Sequence, residues 1–339
     1  MATLHDIARK AGVSITTVSN VIHNRKSRVS PDMVAKIRAI IKEENYVPSM
    51  TARTLARNVS PIIGVINHLA FRQGDEFSAD PFSNTFIGSI ENSTRDKGYF
   101  VMVRTVEDAN ALEIVQRNWK LAGIILAGLY HDDFFEKVKN LGIPYVLIDS
   151  YIDLPDVLNV GLEDQKGGYL ATRHLIENGH RVIAFASPTI RKDGVDERRF
   201  MGYKQALLEY GIPFDEKLVY GQEFSVEAGM NLGHKLAKMD KITAIFATAD
   251  ILATGIIVGL REKGINVPKD KSIVGFDNNY LCRISHPQLT TIHQDIEEKG
   301  TIATKMMLNQ LMGREITERK IILPVHLVER ESVANIKNI

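Results

Sequence analysis

The stretch Thr3-Leu4-His5-Asp6-Ile7-Ala8-Arg9-Lys10-Ala11-Gly12-Val13-Ser14-Ile15-Thr16-Thr17-Val18-Ser19-Asn20 decides how this 339-residue chain begins. Thr3 is suited to cap a helix from Leu4 to Ala11, with Asp6 in the capping-box position. Gly12 ends that helix and allows a tight turn, and Val13 plugs the core. Ser14 caps a second helix, Ile15 to Ile22. Two short helices joined this way form a helix-turn-helix, whose second helix presents its N-terminal residues to base edges in the major groove. Ile15, Thr16 and Asn20 lie on its outer face, while Val18, Val21 and Ile22 face inward.

Working outward, His23 to Val29 reads as a polar loop. Ser30-Pro31 opens a third helix, a capping residue followed by proline at the first helical position. Tyr46-Val47-Pro48 stops it. Ile7, Ala8, Val13, Val18, Val21, Val34, Ile37 and Ile41 recur at helical spacing and can form one small core. Ser49 to Arg57 is a short fourth helix, ended by Ser60-Pro61. Residues 1–60 carry ten Lys or Arg against four Asp or Glu, a net charge of +6, which leaves −5 on the rest of a chain whose total is +1. A basic head on an acidic body points to a polyanion partner for the head. On charge alone, a solvated surface explains it equally well.

After Pro61 the texture changes. Apolar strands are expected at Ile62–Ile66, Phe100–Val106, Gly123–Ala127, Tyr145–Asp149, Val182–Ser187, Leu218–Gln222, Ala244–Thr248, Ser272–Phe276 and Thr290–Gln294. Helical patterns lie near 82–97, 131–140, 164–178, 197–210, 225–238, 250–263 and 295–312. This alternation implies parallel sheets with helices on both faces, and its length implies two lobes. Ligands in such sheets sit beyond the strand carboxyl ends. Asp149 ends one strand and Asp277 follows another, and carboxylates accept paired hydrogen bonds from adjacent hydroxyls. Arg199 offers a planar donor fork from a helix near the same cleft. For each of the three, a cap or salt bridge at a strand–helix junction is the competing reading.

The sequence also excludes. Cys282 is the single cysteine, so no internal disulfide forms. Met1 to Lys10 has no apolar signal region, and no apolar run approaches the roughly 18 residues of a spanning helix. A soluble, cytoplasmic protein without membrane contact is expected. No P-loop, no G-x-G-x-x-G after a strand, no Cys/His cluster and no G-x-S-x-G elbow occurs, and His131, His180, His234 and His293 are scattered. No catalytic residue, metal or cofactor is therefore expected. Three rivals stay open: a solute-binding protein, a glycosidase using Asp149 and Asp277 as its carboxylate pair, and a constitutive DNA binder without effector or sequence preference.

The run Ile7-Ala8-x-x-Ala11-Gly12-Val13-Ser14-x-x-Thr17-Val18-Ser19, followed by Val29-Ser30, Tyr46-Val47-Pro48 and Ala52-Arg53-x-Leu55, resembles the LacI/GalR family of transcriptional regulators. The likeness continues through the core to Arg330-Glu331-Ser332. It implies an all-α helix-turn-helix head on an α/β core of two Rossmann-like lobes, of the type I periplasmic-binding-protein-like kind. The head would span 1–48, a hinge helix and linker 49–60, and the effector-binding and dimerisation core 61–339. The N-lobe would take about 61–161 and 294–323, the C-lobe about 162–293 and 324–339.

The resemblance implies roles as well. Thr3, Ser14, Ile15, Thr16, Thr17, Asn20, His23 and Asn24 would contact double-stranded operator DNA from the head. Ala52 and Leu55 would do so from the hinge, with Leu55 wedging into a minor-groove step. Many relatives carry arginine in place of Asn20, and asparagine suits adenine where arginine suits guanine. Asp149, Arg199 and Asp277 match effector-binding positions. Phe82, in an Asp80-Pro81-Phe82 element similar to the family's Asn-Pro-Phe, Phe224 and Gln294 are softer matches. Ala249 stands where relatives have asparagine, so Asp250 is expected to cap the next helix. Asn67 to Ala79 is extra sequence at the cleft mouth, read either as a lid or as a surface insertion. The expected function is a homodimeric repressor whose operator affinity changes when a small effector, expected to be a sugar, binds between the lobes. Corepression by a purine-like or other ligand is the alternative.

Overall fold

The computed structural model describes residues 2–22, 29–46, 59–68 and 80–337, and the chain divides into two compact units, Met1–Ser60 and Pro61–Ile339. In the first unit, α1 (Leu4–Ala11) begins with a complete capping box: Asp6 N–H donates to the Thr3 hydroxyl while the Asp6 carboxylate accepts from Thr3 N–H at 2.9 Å. Gly12 closes the helix in the left-handed region at φ 71°, a conformation glycine adopts without steric cost. The Ser14 hydroxyl accepts from Thr17 N–H at 3.1 Å at the head of α2 (Ile15–Ile22). The third helix, α3 (Pro31–Glu43), starts at the expected proline, but the Ser30 side chain makes no cap hydrogen bond. Ile7, Ala8, Ala11, Val18, Val21, Ile37 and Ile40 form the buried core. Ile40 takes a deep position while Val13, Val34 and Ile41 pack at its edge. The hinge helix expected over 49–57, with Ala52 and Leu55, lies outside the described residues, as do His23 and Asn24.

The second unit holds two six-stranded sheets. The first contains β1 (Ile62–Asn67), β2 (Phe100–Thr105), β3 (Gly123–Ala127), β4 (Tyr145–Ile148), β5 (Asn159–Leu162) and, from far along the chain, β11 (Lys320–Leu323). Its order is β11-β5-β4-β3-β1-β2, every pairing parallel. The second contains β6 (Ile183–Ser187), β7 (Val219–Gly221), β8 (Ala244–Ala247), β9 (Ser272–Asp277), β10 (Thr290–His293) and β12 (His326–Val328), in the order β12-β10-β9-β8-β6-β7. Only the β10–β12 pair is antiparallel. Strands covered on both faces read as continuous apolar runs, and β1, β6, β8 and β9 are buried along their whole length. The edge strand β2 is mostly half-buried or exposed.

Nine helices are described around the sheets: α4 (Pro81–Arg95), α5 (Ala109–Trp119), α6 (Asp133–Asn140), α7 (Asp164–Glu177), α8 (Val195–Glu209), α9 (Val226–Leu236), α10 (Asp250–Glu262), α11 (Leu281–Ile284) and α12 (Ile296–Leu311). The chain crosses between the sheets three times, after β5, after β10 and between β11 and β12. Helix α7 then packs on α8 in the second lobe, and α12 packs back on α4 in the first. The expected strand and helix pattern lacked β5, β11, β12, α5 and the four-residue α11. Asn159 and Gly161 interrupt the apolar run of β5, and β11 and β12 are exposed or half-buried at every position but Leu323, so none reads as a continuous apolar strand. Only Ala109 and Leu112 are fully buried along α5, which leaves its apolar face narrow.

Candidate functional site

The carboxyl ends of the strands in both sheets surround one cavity of about 240 Å³. That is just below the roughly 300–1,000 Å³ usual for drug-sized ligands, and it suits a single sugar ring or a nucleobase. Asn67 reaches it from the end of β1, residues 127–130 from β3, Asp149 from β4, Phe224 from beyond β7, Ala249 from beyond β8, Asp277 from β9 and Gln294 from beyond β10. Phe82, Asp149, Arg199, Phe224, Asp277 and Gln294, the six positions singled out from sequence, all line it.

The floor is a continuous polar chain. Asp149 follows β4 with φ +51°, and Asp277 ends β9 with φ +114°. Backbone held in such sparsely populated regions concentrates at functional sites. The fully buried Lys299 ammonium donates to both Asp149 oxygens at 2.7 Å and to Gln294 Oε1 at 2.7 Å. Gln294 Nε2 in turn donates to Asp277 at 2.6 Å. An ammonium has three protons, so Lys299 is saturated. Burial raises the Asp149 carboxyl above its ordinary range, and the Lys299 charge opposes that. Burial, with Asp250 nearby, raises Asp277 well above its ordinary range, against the pull of Arg199.

Arg199 is placed by helix packing. A Cβ on Gly168 of α7 would come within 2.1 Å of the Arg199 carbonyl, and one on Gly202 within 2.0 Å of the Gln165 carbonyl. Only glycine permits α7 and α8 to approach this closely. The guanidinium Nε donates to Asp164 at 2.9 Å and Nη1 to the Thr248 carbonyl at 2.6 Å. Its plane sits 3.5 Å from the Phe276 ring centroid. Asp164 also accepts from the Tyr151 hydroxyl at 2.6 Å, so a second polar chain runs from the loop after β4 to α8. Much of the donor fork expected of Arg199 is therefore spent inside the protein.

Other groups complete the lining, Asp80 from the element already noted in the sequence and Asp196 without notice there. Asp80 caps α4, accepting from Phe82 N–H, Ser83 N–H and the Ser83 hydroxyl. Asp196, in the first turn of α8, accepts from the Thr248 hydroxyl at 3.2 Å. Burial pushes the Asp196 carboxyl up to about 6, opposed by Arg199. At the mouth, Arg191 lies 5.5 Å from the Tyr130 ring centroid, and a Cβ on Gly194 would meet the Tyr130 hydroxyl at 2.6 Å. Lys299 did leave a signal in the sequence. It sits at helical spacing with Ile296, Gly300 and Ala303 on the buried face of α12, and a lysine there requires a buried acceptor. Asp250 departs from expectation. Ala249 holds the N-cap position without a side-chain bond, while the Asp250 carboxylate accepts from Thr291 Oγ1 at 2.6 Å and Asn279 N–H at 3.0 Å. It ties α10 to β10 rather than capping its own helix. The extra segment shows only Asn67 and His68; residues 69–79 lie outside the described residues.

In the first unit, Ile15 and Thr16 are exposed on α2 and Asn20 is half-buried. The hydroxyls of Ser14 and Thr17 bond each other at 2.9 Å, and Thr3 is engaged by Asp6. Among the described residues, no group of three or more His, Cys, Asp or Glu could hold a metal, and no helix is long and apolar enough to cross a membrane.

Comparison with known proteins places these observations. Residues 3–49 match the lacI family of bacterial regulatory proteins, and residues 172–333 match the periplasmic binding protein-like domain. The chain is 35% identical to the HTH-type transcriptional repressor PurR of Pectobacterium carotovorum, over 99% of this chain and 98% of that one. Its structure is similar to the lac repressor dimer bound to operator and the anti-inducer ONPF, with a TM-score of 0.82, 26% identity, and coverage of 98% and 99% of the two chains. A complex of the transcriptional regulator CelR with cellobiose gives a TM-score of 0.71 at 27% identity, covering 98% of this chain and all of that one.

Proposed function

Because the chain belongs to the LacI family of bacterial regulatory proteins and is a DNA-binding transcriptional repressor, we propose that a sugar held between its two lobes sets its affinity for operator DNA. The observation that carries this reading is the cavity at the strand carboxyl ends, where Asp149, Arg199, Asp277 and Gln294 converge between Phe82 and Phe224. Aromatic faces with a few placed polar groups are the usual make-up of a sugar-sized site, and CelR, of similar structure, holds cellobiose. Asp277 keeps one carboxylate oxygen free of the Gln294 bond and Arg199 keeps one guanidinium nitrogen. Together they can engage adjacent hydroxyls.

The DNA side of the reading rests on the head. Two copies of the chain would place two second helices in adjacent major grooves of a near-palindromic site, with Ile15, Thr16 and Asn20 toward the bases and Thr3, Ser14 and Thr17 near the backbone. Ligand that favours one arrangement of the lobes changes operator affinity by linkage. Both oxygens of Asp149 are taken by Lys299, which leaves it a poor general base and weighs against the glycosidase reading. The test is to select an operator with the full chain from random duplexes, then titrate sugars against that complex. A sugar that shifts operator affinity, through a response lost in Asp277→Ala, supports the reading, and the direction of the shift gives induction or corepression. Operator affinity indifferent to every sugar would overturn it.

A further inference from the structure

The cleft carries a charge pattern that narrows the ligand, and this inference rests on the effector reading above. Three helices point their N-terminal turns at the cavity: α4 through Phe82 and Ser83, α8 through Gly194 and Val195, and α10 through Ala249 and Ile251. A helix N-terminus is the natural seat of a phosphate or carboxylate, because unpaired N–H groups and the helix dipole converge there. In this chain each already has a carboxylate of its own. Asp80 caps α4 and takes two of its first N–H groups. Asp196 and Glu197 occupy the first turn of α8, and Asp250 that of α10.

The cations do not offset this. Lys299 is saturated by Asp149 and Gln294. Arg199 is paired with Asp164 inside the protein. Among the described residues, once these pairs are set aside, Asp80 and Asp196 face the cavity against Arg191 at its mouth, with Asp277 beside them held toward its protonated form by burial. An anion entering would leave water to meet like charge in a low-dielectric space, which disfavours its binding. Hydroxyl and ammonium groups instead supply donors to the ionised carboxylates.

We infer that the effector is a polyhydroxylated ligand without negative charge, a neutral sugar or its amine-bearing counterpart, and that Asp196 is the residue that enforces the exclusion of phosphorylated and acidic sugars. Asp196 is the group best placed for this. The N-caps of α8 and α10 both lack a side-chain bond, but the Asp250 carboxylate of α10 is held by Thr291 and Asn279 whereas Asp196 lines the cavity; its replacement by asparagine keeps the Thr248 contact while removing the charge.

The test uses the full chain and matched probes: D-glucose, D-galactose, D-ribose and cellobiose, the 6-phosphates of the hexoses, ribose 5-phosphate, D-glucuronate, D-glucosamine and inorganic phosphate. Thermal stabilisation and release or tightening of the selected operator are read for each. A neutral or amino member is expected to act at concentrations at least about tenfold below its anionic counterpart, and Asp196→Asn is expected to narrow that gap by about tenfold, the scale of one like-charge contact near a protein surface. A phosphorylated or acidic member that acts as well as its neutral partner, stabilisation by millimolar inorganic phosphate, or an unchanged gap in Asp196→Asn overturns the inference while leaving the effector reading intact. Silence from every neutral and anionic probe, with operator still bound, overturns both.

Discussion

Lys299, with no exposed surface, holds both carboxylate oxygens of Asp149 at 2.7 Å, across 150 residues of sequence. The pair turns a carboxylate that sequence marks as a ligand contact into one end of an internal chain. Removing one member of a buried pair strands the other. Lys299→Met is expected to lower unfolding free energy by about 3–5 kcal/mol. The double variant with Asp149→Asn, which keeps a residue tolerant of left-handed backbone, should recover most of that loss. Urea denaturation of the three proteins checks this, and a double variant no more stable than the single one would refute it.

The carboxyl of Asp196 is pushed up to about 6 in the folded chain from an ordinary value of 3.8. Between those values the native state holds more protons than the unfolded state, so this group's stabilising contribution is lost as pH rises from about 4 to about 6. Asp196→Asn removes that loss. The variant should be more stable than the parent at neutral pH, by at most about 2–3 kcal/mol, and should match it near pH 4. Parallel stability profiles across that window would show that Asp196 is not the source.

Gly168→Ala should be among the most damaging changes in the core. Its Cβ would lie 2.1 Å from a backbone carbonyl of α8, which cannot move without carrying Arg199 with it. A loss of about 1–3 kcal/mol or more is expected, read as a lower midpoint of thermal unfolding. Sugar response should fall with it.

In the head, Thr3→Ala removes one half of the capping box of α1. The expected cost is about 1 kcal/mol. Chemical shifts or amide exchange of residues 4–11 in the full chain would report it, and unchanged protection would mean that Asp6 suffices.

Asn20 offers an amide where a guanidinium would favour a different base. Asn20→Arg should move selection from random duplexes toward guanine at one symmetric position in each half-site. The same selected sequence from both proteins would remove Asn20 from the list of base-reading residues.

Much of this was legible in the sequence. The strands of the sheet interiors announced themselves because both faces are covered and nearly every residue is apolar, as in Ile62–Ile66 and Ser272–Phe276. Strand ends then located the cavity, since ligands in open α/β sheets gather there, and Asp149, Arg199, Asp277 and Gln294 followed. What sequence order could not reveal were the partners. Lys299 meets Asp149, Arg199 meets Asp164 and the Thr248 carbonyl, and Asp250 meets Thr291. Each pairing is made by the fold between distant segments, and local spacing carries no trace of it. The missed strands β5, β11 and β12 are interrupted by polar residues or exposed along most of their length, so they carry no continuous apolar run.

The late strands β11 and β12 have a consequence for biosynthesis. Neither sheet can be completed until residues 320–328 have left the ribosome, because each takes one of its outer strands from that stretch. The head, by contrast, has its described helices by residue 43. At about 5–20 residues per second, roughly 15–55 seconds of translation separate the two events. A nascent chain thus exposes a finished helix-turn-helix well before it owns a ligand cleft, and control by a small molecule begins only after residues 320–328 have emerged.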